Sequence, residues 1–95
     1  NPLYTFFAAI SRMDRNFNPQ GGWQVESAVS RENTLRGMTI WAARGSFREK
    51  EKGSIEPGKW ADFVVWSGDL MTLPLEEIPQ TGCSMTFIAG DQVYP

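Results

Sequence analysis

The chain is 95 residues long and carries nine Lys and Arg against eleven Asp and Glu, a net charge of −2. That length allows one small domain with a thin stability margin, and the scattered cations form no stripe for a phosphate backbone, which argues against nucleic-acid binding. A composition that is 41% hydrophobic, with four Trp and six Phe, argues equally against disorder along the whole chain.

Pro2 suits the first turn of a helix, and Leu3, Phe7 and Ile10, with Phe6 beside them, fall at helical spacing, which predicts a helix over residues 2–13. From Asp14 to Val29 the periodicity collapses. Asn16, Asn18, Pro19, Gly21 and Gly22 predict a long irregular connection with Trp23 as its one strong apolar anchor, and loops of this length in compact proteins are often functional. Ser30 then offers an N-cap, Glu32 sits in the first turn where the helix dipole favours it, and Leu35, Met38 and Ala42 recur at helical spacing. A second helix is expected from Arg31 to about Arg44, apolar over a wide arc through Ile40, Trp41 and Ala43, with Gly45 as its stop.

The run Arg48-Glu49-Lys50-Glu51-Lys52 alternates in sign and reads as solvated surface. Pro57 presets φ for the second position of a type II turn and Gly58 supplies the positive φ of the third, so the chain reverses ahead of Phe63-Val64-Val65-Trp66. That run is apolar at every position, as in a strand covered on both faces. Residues 71–79 predict a connector with one short helical turn, and 83–89 and 92–94 flank Gly90-Asp91, a hairpin signal pairing Ile88 with Val93 and Phe87 with Tyr94. The order is therefore α+β: two helices, then a few antiparallel strands.

The missing chemistry is as informative. The chain has no histidine and only Cys83 for a thiol, so it cannot assemble an ordinary zinc site or a Ser-His-Asp triad from its own residues, and no intrachain disulfide forms. A cytoplasmic setting is the default, and no apolar run reaches the roughly 20 residues of a membrane helix. Glu76 and Glu77 are adjacent and the other carboxylates dispersed, so no acid/base pair is indicated. Gly21-Gly22 has no phosphate-loop spacing around it, and Asp62, just after the turn, is expected to hydrogen-bond nearby backbone.

The block Gly53-Ser54-Ile55-Glu56-Pro57-Gly58-Lys59-Trp60-Ala61-Asp62 closely resembles the G-S-I-E-P-G-K-x-A-D segment near the C-terminus of metal-dependent amidohydrolases. Asn1-Pro2-Leu3, residues 8–12, Gly21-Gly22-Trp23, residues 30–36 and residues 90–94 extend the likeness to the amidohydrolase family 3 branch over essentially the whole chain. The resemblance implies a C-terminal portion of a larger hydrolase of non-peptide carbon–nitrogen bonds, in which a (β/α)8 barrel binds divalent metal, zinc being the expected ion, and activates water. The last metal-binding Asp is then expected shortly upstream of Asn1, so no catalytic or metal-ligating residue transfers to this chain.

Residues 1–45 resemble the loop and helices that close the barrel, and residues 46–95 part of the small composite β-sandwich. The partners implied are the remainder of the parent chain and, through open sheet edges, a second copy of this one. Two residues carry a claim on substrate, Trp23 and Arg12. Loops after barrel strands build the active-site mouth, but Trp23 equally suits pinning the loop, and Arg12 equally suits a helix C-terminal charge. A stand-alone structural or interaction module, and a regulatory protein on the same fold, remain alternatives.

Overall fold

The computed structural model describes residues 1–95, in the order α1 (Pro2–Ser11), a 3-10 turn (Val25–Ser27), α2 (Arg31–Met38), α3 (Ile40–Gly45), β1 (Phe63–Trp66), a 3-10 helix (Leu75–Gln80), β2 (Cys83–Ile88) and β3 (Asp91–Tyr94). The chain divides into two compact units, residues 1–35 with 68–81, and residues 36–67 with 82–95. No helix is long and apolar enough to cross a membrane.

In the first unit, the Asn1 side chain accepts a hydrogen bond from the Leu3 N–H at 2.9 Å and Pro2 occupies the first turn, so α1 starts where the sequence places it. It ends at Ser11 rather than Met13, because Arg12 turns into the left-handed region (φ 60°) and caps the helix by donating its N–H to the Ala8 carbonyl. Leu3, Phe6 and Phe7 are buried on α1, which packs against the 3-10 helix carrying the fully buried Ile78. Each such side chain contributes about 1.5–3 kcal/mol through removal from water. Arg31 ties the start of α2 to the connector by donating from Nη1 to the Leu70 carbonyl at 2.9 Å, and Ser30 caps it by accepting from the Asn33 N–H.

The expected single helix over 31–44 is two, broken at Thr39 (φ −124°, ψ −96°). Thr39 and Ile40 are both β-branched and weak helix formers, and Gly53 packs so close that a Cβ there would lie 3.0 Å from the Ile40 Cα and 3.2 Å from the Thr39 carbonyl oxygen. The helix does stop at Gly45, the last residue of α3, although the left-handed turn falls two residues on, at Phe47 (φ 57°). The apolar arc expected to be covered is largely open, since Leu35, Met38 and Trp41 are exposed and Ala43 is the buried residue of α3.

The sheet of the second unit is antiparallel in the order β1-β2-β3. Phe63 sits opposite Phe87 and the two rings stack at 4.5 Å, a cross-strand pair that fixes register. Strand β1 is not covered on both faces as its composition suggests, for Val64 is 40% exposed. The hairpin turn also differs. Ala89 (φ 52°) and Gly90 (φ 87°) are the turn residues, the two positive φ values of a type I′ turn, so Ile88 faces Asp91 and Phe87 faces Gln92. A register shift between Thr86 and Phe87 then brings Thr86 opposite Tyr94.

Candidate functional site

The two residues with a claim on substrate meet. The Arg12 carbonyl accepts from the Trp23 N–H at 3.0 Å, Arg12 Nε donates back to the Trp23 carbonyl at 3.0 Å, and the guanidinium lies 5.5 Å from the indole centroid. This reciprocal neck closes residues 12–23 into a lobe whose ends are adjacent, the geometry of an Ω-loop. Gly22 makes the neck possible: with φ 85°, its Cα faces the Ser11 carbonyl oxygen so closely that a Cβ would stand 2.3 Å from it.

Inside the lobe, Asp14 Oδ1 accepts from the N–H groups of Asn16 and Asn18 at 2.7 and 3.1 Å, and the Asp14 N–H donates to the Asn18 carbonyl at 2.8 Å. The Asn18-Pro19 bond is cis, and the Gly22 N–H donates to the Pro19 carbonyl. The lobe is anchored by Phe17, whose ring meets buried Phe7 edge-on at 5.5 Å. Trp23, expected as the apolar anchor, is 59% exposed and held by its backbone and by Arg12 instead. Phe17 was hidden in sequence because it stands among Asn residues with no periodicity around it. Arg15, also unremarked by its pattern, lies 5.9 Å from the centroid of Tyr4. Beyond the lobe, the Val29 N–H returns to the Ala9 carbonyl at 2.9 Å.

The signature block is spent on structure. The Lys59 N–H donates to the Glu56 carbonyl at 3.2 Å around Pro57-Gly58, with Gly58 at φ 88°, as a type II turn requires. Lys59 Nζ, largely buried, lies 2.9 Å from a Glu56 carboxylate oxygen and donates to Ser54 Oγ at 2.6 Å, while Ser54 Oγ donates to the same carboxylate. These bonds from Ser54 and then Lys59 hold the Glu56 carboxyl below its ordinary range. Asp62 reaches farther than its immediate neighbours: Oδ1 accepts from the Ala89 N–H at 2.8 Å, and the Gly90 N–H donates to the Ala61 carbonyl at 3.1 Å. Ala61-Asp62 therefore holds the β2–β3 turn.

No three His, Cys, Asp or Glu side chains lie together in a way that would hold a metal ion. With no histidine and with Cys83 engaged by Thr86 Oγ1 at 3.3 Å, the residues present do not fit a metal centre. Glu76 and Glu77 lie in the first turn of the 3-10 helix Leu75–Gln80, with no partner residue of opposite role.

Residues 1–94 match the amidohydrolase family. The chain belongs to it. The protein LONG AFTER FAR-RED 3 of Arabidopsis thaliana is 30% identical over all 95 residues, which is 16% of the plant protein. Imidazolonepropionase of Pseudomonas aeruginosa is 54% identical over 35 residues, 37% of this chain and 9% of the enzyme. An amidohydrolase from Thermotoga maritima superposes with a TM-score of 0.60 at 32% identity, over 73% of this chain and 16% of that one. The chain thus spans about a sixth of the length of the plant protein and of the Thermotoga maritima chain, and about a tenth of that of imidazolonepropionase.

Proposed function

We propose that these residues form the C-terminal portion of a metal-dependent hydrolase that cleaves non-peptide, amide-like carbon–nitrogen bonds, and that on their own they are inactive. The observation that carries the reading is the pairing of a family match over residues 1–94 with side chains that fit no metal centre. The signature block serves turn and sheet, which leaves the chemistry to the rest of the parent chain. A divalent ion, expected to be zinc, would be held there by residues of the parent chain and would supply Lewis acidity.

On this reading residues 1–45 close the (β/α)8 barrel and residues 46–95 contribute to a composite β-sandwich. The exposed Leu35, Met38 and Trp41 and the unpaired outer edges of β1 and β3 support that assignment, because apolar surface and open strand edges of this kind are covered in stable proteins. The parent chain is the proposed cover, and self-association is the expected behaviour of the isolated piece.

A regulatory protein on the same fold is the second reading. It is favoured by the match of all 95 residues to 16% of a plant protein whose name carries no reaction. Sequencing the upstream reading frame separates the two. A His-x-His pair after an early strand and an Asp shortly before Asn1 support the hydrolase; a frame that lacks them refutes it.

A further inference from the structure

The charged run 48–52, expected to be solvated, holds one acid that is not. Oε2 of Glu49 is closed off from solvent and has no hydrogen-bond partner. The cations around it are engaged elsewhere or stand off: Arg48 pairs with Glu51 and lies 5.4 Å from the centroid of the Trp60 ring, Lys59 pairs with Glu56, and Lys50 and Lys52 form no ion pair with Glu49. The backbone here is a pinned turn. The Arg48 N–H donates to the Ala43 carbonyl at 2.8 Å, the Glu51 and Lys52 N–H groups donate to the Arg48 carbonyl at 3.0 Å, and the Trp60 N–H donates to the Glu51 carbonyl at 2.8 Å. A shielded carboxylate oxygen without a donor is costly, and proteins keep such a group where a cation or donors answer it. Two residues before it, Phe47 holds a φ of 57° and is 90% exposed, so an aromatic ring is presented outward from a strained backbone. A demand for a donor and a demand for apolar cover thus stand within three residues of each other.

We propose that Glu49 accepts a cationic side chain, Arg or Lys, from the part of the parent chain outside residues 1–95, and that the segment carrying this cation also covers Phe47. The relatives supply the scale: this chain matches 16% of the plant protein and 16% of the Thermotoga maritima chain, so most of such a parent lies outside these residues. The proposal rests on the reading of this chain as a portion of a larger hydrolase, and it names the chemistry of one contact that joins the portion to the rest.

The test is made on the full-length parent protein, by hydrogen–deuterium exchange over peptides covering residues 47–53. Glu49→Met keeps the bulk and removes the charge. If a cation sits on Glu49, the variant strands that cation, and exchange should rise at least about tenfold, the partial exposure of the residue being allowed for. Glu49→Gln, which keeps an acceptor but no charge, should show a smaller rise. If Glu49 has no partner, the apolar side chain suits its site better, and exchange that stays level or slows in Glu49→Met overturns the proposal. A structure of the wild-type parent gives a check that depends on no variant. It should place an Arg or Lys nitrogen from outside residues 1–95 within about 4 Å of a Glu49 carboxylate oxygen, and a Glu49 met by water or by a cation of residues 1–95 overturns the proposal. Such a cation in a parent that hydrolyses nothing would sink the hydrolase reading alone, whereas a working hydrolase without it would sink this one alone.

Discussion

Replacing Asp62 with Ala should loosen the β2–β3 turn without touching chemistry. Oδ1 of Asp62 accepts from the N–H of Ala89, a residue at φ 52° where an L side chain pays a steric penalty. A hydrogen bond to a charged group is worth about 1.5–3 kcal/mol, and the solvent exposure of this one puts the expected loss at no more than the low end, roughly 1.5 kcal/mol. At 1.36 kcal/mol per decade, the Ala89 amide should exchange with solvent about tenfold faster in D62A. D62N keeps an acceptor and should lose about half as much. A89G, which relieves the left-handed strain of about 1–2 kcal/mol, should restore much of the protection in the double variant. The assay is hydrogen–deuterium exchange on the full-length parent, resolved to peptides covering residues 86–91. The reasoning fails if D62A leaves exchange at Ala89 within twofold of wild type, and fails differently if turnover collapses while exchange does not change, since Asp62 would then act in catalysis.

The other predictions follow from single contacts. Gly22→Ala places a methyl 2.3 Å from the Ser11 carbonyl oxygen at a positive φ, so it should open the Arg12–Trp23 neck at a cost of about 1–3 kcal/mol, seen as new proteolytic cleavage within 13–22. Phe7→Ala empties a buried site and removes the edge-on contact with Phe17, costing about 3–5 kcal/mol in a melting or denaturant series. Because the Glu56 carboxyl is depressed by Ser54 and Lys59, its contribution to the signature turn is complete above its ordinary value of 4.5 and is lost as the pH falls below that through the folded value. Amide exchange at Lys59 should therefore rise on acidification below this point, and Glu56→Gln should flatten that dependence.

The sequence speaks clearly where a residue's local chemistry decides its place. Asn1-Pro2 and Ser30 start helices by capping, and Pro57-Gly58 makes its turn because proline presets the first φ and glycine supplies the positive second one. Where partners distant in sequence decide, it speaks less clearly. The break at Thr39 depends on the approach of Gly53, which no periodicity around residue 39 announces. The hairpin turn takes Ala89 into the left-handed region because Asp62, 27 residues away, holds its amide. At the lobe, Arg12 and Trp23 were legible separately, as a helix-end cation and a loop aromatic. Their reciprocal neck, and the anchoring by Phe17, arise from packing on α1 and left no pattern in the intervening Asn, Pro and Gly residues.

The most direct test of the account is a comparison of amide hydrolysis by the full-length parent, before and after chelation, with hydrolysis by the 95-residue chain given the same divalent metal. The account predicts turnover by the parent that chelation removes and zinc restores, and none above the blank from the 95 residues. Turnover by the short chain, or by a parent indifferent to chelation, would contradict it.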